Sequence, residues 1–243
     1  MFHGGGFVLD HAAMNHWDQI NDCLERGWIV LSLAYRLCPG VNVLQGPMAD
    51  ARATLQWVQE GGLASALYAH RTLSQPNYNQ GIARGTSSGG HLALSLVLPR
   101  PPLAVLDFYG AKECTDDFWH QPIEKVRSQL DQAPALDKPI LGPLFQVKTT
   151  LRGGMSLEGQ SAAPGDSPSA SDAWRPFALR SIAEGRVLEK TRLRVSGIQT
   201  RLILVPGKHH TFVGQMKKES ATWWRQRERF DFLQEVLDSA YYV

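Results

Sequence analysis

Gly85-Thr86-Ser87-Ser88-Gly89 has the form G-x-S-x-G and stands between the strand-like run GIARGTS and the helix-like run SGGHLALSLV. A nucleophile on so tight a strand-to-helix turn needs small neighbours, because a Cβ there would strike the adjoining backbone. The helix N-terminus behind it also favours negative charge. Ser87 is the candidate nucleophile, although the pattern by itself equally describes a glycine-rich turn with an incidental serine. HGGGF at 3–7 supplies what such a serine requires, since glycines let backbone N–H groups approach a developing oxyanion. Each such donor is worth ~2.7–4 kcal/mol in the transition state. Gly4 and Gly5 are the candidate donors, with the Ser88 N–H as a third. PGKHHTF at 206–212 follows the apolar run RLILV and delivers histidines in the chain order serine first, histidine last. His210 is the candidate general base and His209 its competitor, since adjacent side chains on an extended loop point opposite ways.

These residues need elements to hold them. Trp17, Ile20 and Leu24 recur at helical spacing before Gly27, and GWIVLSLAY at 27–35 reads as a buried strand. A helix is expected over 47–60, with Pro47 in its first turn and Met48, Ala51, Leu55 and Val58 on one face. RTLSQPNYNQ is a polar loop, GIARGTS a strand, 88–97 a helix and LAVLDFYG a further buried strand. This alternation predicts an α/β fold, a mostly parallel sheet with crossover helices on both faces. From 112 to 172 the composition shifts to Pro, Gly, Ser and Gln, and GQSAAPGDSPSASD is expected to be flexible. A helix at 187–196, a strand at 201–205 and a last helix at about 221–241 resume the alternation. Arg84 puts a charge into a strand whose two faces should be covered, so it requires a partner or an exposed position.

The chain has 243 residues, enough for one domain with a sizeable core. Its 25 basic and 23 acidic residues nearly cancel, which argues against a nucleic-acid partner. Cys23, Cys38 and Cys114, an odd number without metal-ligand spacing, read as buried or free thiols of a reducing compartment. No apolar run approaches the ~20 residues of a membrane span, so a soluble, cytoplasmic protein with no membrane partner is expected.

Together, HGGGF at 3–7, YRLCP at 35–39 with Asp50 after it, GTSSGGHLAL at 85–94, LDFYG at 106–110 and VPGKHHTF at 205–212 resemble the hormone-sensitive-lipase-like branch of the α/β hydrolases, and within it a fungal subset of hydrolases and esterases. The resemblance covers roughly 2–110 and 187–243. It implies the α/β-hydrolase fold, Gly4 and Gly5 in the oxyanion hole, Ser87 attacking an ester carbonyl, and His210 as base, since Gly207 and Phe212 fit His210 to the family's G-x-x-H-x-F pattern. It also implies a cap over 112–172, in which Phe118, Trp119 and His120 could line an acyl pocket.

Two departures stand out. The family carries its acid in a Gly-x-x-Asp run some thirty residues before the histidine, and 173–199 contains no such run; Asp172, Glu184 and Glu189 are the substitutes on offer, each also readable as a surface charge. The family's HGGG loop follows a central strand, of which only Met1 and Phe2 stand here. A shortened hydrolase is therefore expected, with loss of the acid costing ~10⁴ in rate. The function expected is hydrolysis of a small-molecule carboxylic ester through an acyl-enzyme, with no cofactor and no metal. The alternatives are an impaired or inactive relative serving as a binding protein, and a lactonase or transacylase acting on a polyketide-type product.

Overall fold

The computed structural model describes residues 1–70, 75–97, 101–112, 121–122, 124, 138–154, 174–184 and 218–239. The centre is a parallel pair, β1 (Ile82–Thr86) and β2 (Ala104–Phe108), with Gly85 opposite Asp107 and Thr86 opposite Phe108. Between them the chain runs through α4 (Ser88–Ser95), the crossover that the strand, helix, strand pattern requires. Earlier come α1 (Trp17–Glu25), α2 (Pro47–Gln59) and α3 (Gly62–Ala69); later come α5 (Lys138–Gln146), α6 (Trp174–Ala183) and α7 (Ala221–Ser239).

Alternation along the two strands divides the core. Ala83 and Val105 face α4 and pack with Leu92, Ala93 and Leu96. Ile82, Ala104 and Leu106 face the other way and meet Cys23 of α1 with Phe230 and Leu233 of α7. Helices therefore cover both faces, as expected of a parallel sheet.

The GWIVLSLAY segment departs from the sequence expectation, because it forms no ladder. Its sheet contact is a single bridge from Leu33 to Phe2, and Phe2 bridges Gly85 of β1 on its other side. The Leu33 N–H donates to the Met1 carbonyl at 3.0 Å and the Phe2 N–H to the Arg84 carbonyl at 2.8 Å. Phe2 thus holds the place between this segment and β1, and one residue cannot pair a run of nine; Ile29 and Ala34 remain exposed.

The face that α1 buries also departs from expectation. Trp17 is 68% exposed and Leu24 51%, whereas Gln19, Asp22 and Cys23 are buried. The cause is Arg84, only 3% exposed, whose guanidinium donates to the Gln19 Oε1 and lies 5.0 Å from the Phe108 ring centroid. Gln19 Nε2 donates in turn to Gln226 Oε1 of α7 at 2.7 Å, and Arg227 of α7 pairs with Asp22 at 2.8 Å. The partner that Arg84 required is a glutamine, and that requirement turns the polar side of α1 inward.

α3, which the hydrophobic pattern does not announce, buries only Leu63. The helix expected over 47–60 spans Pro47–Gln59, with Met48 and Ala51 buried, and the last helix spans Ala221–Ser239. The elements expected at 187–196 and 201–205, and the stretch expected to be flexible at 159–172, lie outside the described residues. Among the described residues no helix is long and apolar enough to cross a membrane.

Candidate active site

Ser87 sits on the turn from β1 into α4 with φ 51° and ψ −122°, a backbone conformation that L-residues rarely adopt. Holding a non-glycine residue there costs about 1–3 kcal/mol, so the surrounding structure must enforce it. Two hydrogen bonds do so: the Ser87 N–H donates to the Phe108 carbonyl at 2.8 Å, and the Ser87 carbonyl accepts from the His91 N–H at 3.2 Å. The flanking glycines are dictated by close approach. A Cβ on Gly85 would overlap the Gly89 carbonyl and the Gly90 nitrogen, and one on Gly89 would overlap the carbonyl oxygens of Phe2 and His3. Ser88 is buried at the first turn of α4, where helix N–H groups lack intrahelical partners.

The same Gly89 contact sets the glycine loop against the serine turn, since His3 is the residue before Gly4. The loop continues through Gly5 at φ +93° and Gly6 at φ +63°, both in the region glycine enters without penalty. It closes on itself where the Val8 and Leu9 N–H groups donate to the Gly5 carbonyl at 3.1 and 2.9 Å. Among the described residues the Gly4, Gly5 and Ser88 N–H groups donate to no backbone carbonyl. Tyr35 braces the loop: its ring stacks on His3 with centroids 4.2 Å apart, and its hydroxyl lies 2.9 Å from the His3 carbonyl oxygen and 3.1 Å from that of Gly4. Burial takes His3 down to about 3, outweighing the Gly4 carbonyl at 3.0 Å, so the ring is neutral and donates through Nδ1. Arg36 beside it is tied to Asp50 of α2 by its backbone N–H at 2.8 Å and its guanidinium at 2.7 Å.

Part of the segment expected as a cap folds onto this loop. The Leu37 N–H donates to the Thr150 carbonyl at 2.8 Å, the Gly153 N–H to the Asp10 carbonyl at 3.1 Å, and the Asp10 N–H to the Gly154 carbonyl at 3.2 Å. Ala178 of α6 packs on Val8 and Leu9. At the end of β2, Asp107 Oδ1 accepts from the Gly110 N–H at 2.7 Å while its other oxygen pairs with Lys112.

Among the residues singled out in the sequence, the turn carrying Ser87 and Ser88 meets the chain just ahead of Gly4 and Gly5, where Gly89 lies against the Phe2 and His3 carbonyls. Glu184 stands exposed just beyond the end of α6. His209, His210, Asp172, Glu189, Phe118, Trp119 and His120 lie outside the described residues. Tyr35, within the YRLCP motif, is a site residue that the sequence does not announce, since nothing local in that motif says that the hydroxyl reaches a loop about thirty residues upstream.

Comparison with known proteins agrees with this architecture. A family model described as alpha/beta hydrolase fold matches residues 1–101. A crystal structure of a protein with unknown function from Staphylococcus aureus subsp. aureus Mu50 superposes with a TM-score of 0.52 at 18% identity, covering 76% of this chain and 56% of that one. The chain has the α/β-hydrolase fold.

Among curated proteins, the non-reducing polyketide synthase prhL of Penicillium brasilianum is 39% identical over 128 residues, which are 50% of this chain and 5% of that protein. The non-reducing polyketide synthase trt4 of Aspergillus terreus is 32% identical over 171 residues, 68% of this chain and 7% of that protein. The chain therefore corresponds to a small fraction of these relatives' length.

Proposed function

We propose that the chain catalyses serine-dependent acyl transfer from a carboxylic ester, with hydrolysis as the default outcome. The observation that carries the reading is Ser87 held at φ 51° between a strand and a helix whose Gly89 packs on the carbonyls of Phe2 and His3, just ahead of the glycine loop. Ser87 Oγ attacks the ester carbonyl carbon as His210 takes its proton. The tetrahedral oxyanion is bound by the Gly4, Gly5 and Ser88 N–H groups. Collapse breaks the ester C–O bond, the alcohol leaves with the proton from His210, and water attacks the acyl-enzyme by the reverse sequence. With a hydroxyl of the same or another molecule in place of water, the same intermediate yields a lactone or a transferred ester. Similarity to stretches of fungal polyketide synthases supports a polyketide-type acyl group as substrate.

The carboxylate that orients His210 is unassigned, with Asp172, Glu184 and Glu189 as candidates. A turnover reduced by up to ~10⁴ relative to a complete triad is expected if none of them serves. The test is labelling with a fluorophosphonate followed by peptide mass analysis. One phosphonyl group per chain on the Ser87 peptide, lost in Ser87→Ala together with hydrolysis of short p-nitrophenyl esters, is the expected result. A folded protein that stays unlabelled would overturn the reading and leave the alternative, a non-catalytic relative.

A further inference from the structure

We infer that Tyr35 is the positioning residue of the oxyanion hole, acting through its hydroxyl on the two peptide groups that carry the Gly4 and Gly5 N–H donors. The inference rests on the reading of Ser87 as nucleophile and adds a residue to that site.

The His3 carbonyl and the Gly4 N–H belong to one planar trans peptide, as do the Gly4 carbonyl and the Gly5 N–H, and in each the C=O and N–H point in opposite directions. Both carbonyl oxygens converge on one hydroxyl, at 2.9 and 3.1 Å. Both N–H groups are therefore turned away from Tyr35 together, onto the opposite side of the loop. Consecutive glycines would not otherwise hold this arrangement, because each populates several backbone conformations and no Cβ restricts them.

The hydroxyl has a single proton, shared between two acceptors, and the second acceptor also receives the His3 Nδ1–H at 3.0 Å. Two donors thus serve two carbonyls in a site from which water is excluded: Tyr35 and His3 are each 1% exposed. The stacked rings, 7° from parallel, fix the hydroxyl laterally. The Arg36–Asp50 pair fixes the backbone that carries Tyr35. The hydroxyl touches no reacting atom; it acts by keeping two amides aimed before the oxyanion forms, which is where preorganisation has its value.

The test compares the second-order rate of Ser87 phosphonylation in wild-type protein, in Tyr35→Phe, and in a variant with p-aminophenylalanine at position 35, with the melting temperature followed in each. Tyr35→Phe keeps the stack on His3 and removes only the donor. Its labelling rate should fall about tenfold to a hundredfold, below the 10²–10³ seen when an oxyanion donor is deleted outright. Ester turnover should fall in kcat with KM unchanged, and the amino variant, which restores an N–H donor, should recover to within about threefold of wild type. Labelling of Tyr35→Phe at the wild-type rate, whatever its melting temperature, assigns Tyr35 to stability alone and overturns the inference. So does a slow amino variant that melts like the wild type. A wild-type protein that never labels at Ser87 instead defeats the nucleophile itself, and the role of Tyr35 with it.

Discussion

The sharpest local constraint is steric. Gly89 must approach the carbonyl oxygens of Phe2 and His3 so closely that no side chain fits, and both obstacles are backbone, which cannot rotate away as a side chain would. Gly89→Ala should therefore push α4 off the glycine loop and cost about 3 kcal/mol or more, at the upper end of overpacking effects. Gly81, just ahead of β1 at φ −67°, makes the control: a Cβ there meets only the Tyr78 carbonyl oxygen at 3.8 Å, an ordinary contact, so Gly81→Ala should stabilise by about 0.4–1 kcal/mol by restricting the unfolded chain. Thermal unfolding of the two variants should shift in opposite directions. Equal shifts would mean that the close approach at Gly89 relaxes freely. The positive φ of Ser87 belongs with this constraint, since the glycines on either side make room for a strained residue between them. Glycine spacing was readable from sequence because it records a local requirement. The bracing by Tyr35 was not, because it joins residues thirty positions apart.

At the level of elements, α1 shows how a period can be legible while its phase is not. Trp17, Ile20 and Leu24 mark a helical repeat, and the helix is there, but the buried side carries Gln19, Asp22 and Cys23. A buried guanidinium on β1 outweighs the transfer of exposed apolar side chains, because an unpaired buried charge costs several kcal/mol whereas burying a Leu or Trp side chain is worth about 1.5–3 kcal/mol. Gln19→Leu should thus destabilise by about 2–4 kcal/mol despite placing a hydrophobic residue in the core, for it leaves Arg84 without the Gln19 oxygen. Trp17→Gln, on the exposed side, should stay within about 0.5 kcal/mol. Urea unfolding of both would reverse the expectation drawn from the hydrophobic pattern. A milder Gln19→Leu than Trp17→Gln would show that Arg84 finds another acceptor. The strand expected at 27–35 is absent for a related reason: its residues have the right composition, but a ladder depends on what lies beside it, and among the described residues the segment meets there only Met1 and Phe2.

For the whole molecule, the α/β alternation, β1, β2 and α4, and the meeting of the glycine loop with the serine turn were legible in the sequence, because each follows from short-range pattern and glycine spacing. The polar seam joining α1, β1 and α7 was not, since Gln19, Arg84 and Gln226 lie far apart in the chain and meet only after folding. Folding around the site also buries bases, and this makes stability depend on pH. His3 is taken down to about 3 and His16 to about 4, in both cases chiefly by loss of solvation of the charged ring. An unfolded histidine titrates near 6.5, so below that pH the unfolded chain binds protons that the folded chain refuses. The sign follows from linkage: stability rises with pH wherever the unfolded state holds more protons, so the folded state loses ground as pH falls from about 6.5 toward the folded values. At about 1.4 kcal/mol per pH unit, His3 alone should cost about 2 kcal/mol between pH 6.5 and 5.0, with His16 adding to it. Urea unfolding at pH 7.5 and 5.0 measures the loss. His3→Asn, which does not titrate and keeps an N–H donor for the Gly4 carbonyl, should narrow that difference by about the same 2 kcal/mol. An unchanged difference in the variant would show that His3 accepts its proton without unfolding, and that the bracing of the glycine loop tolerates a charged ring.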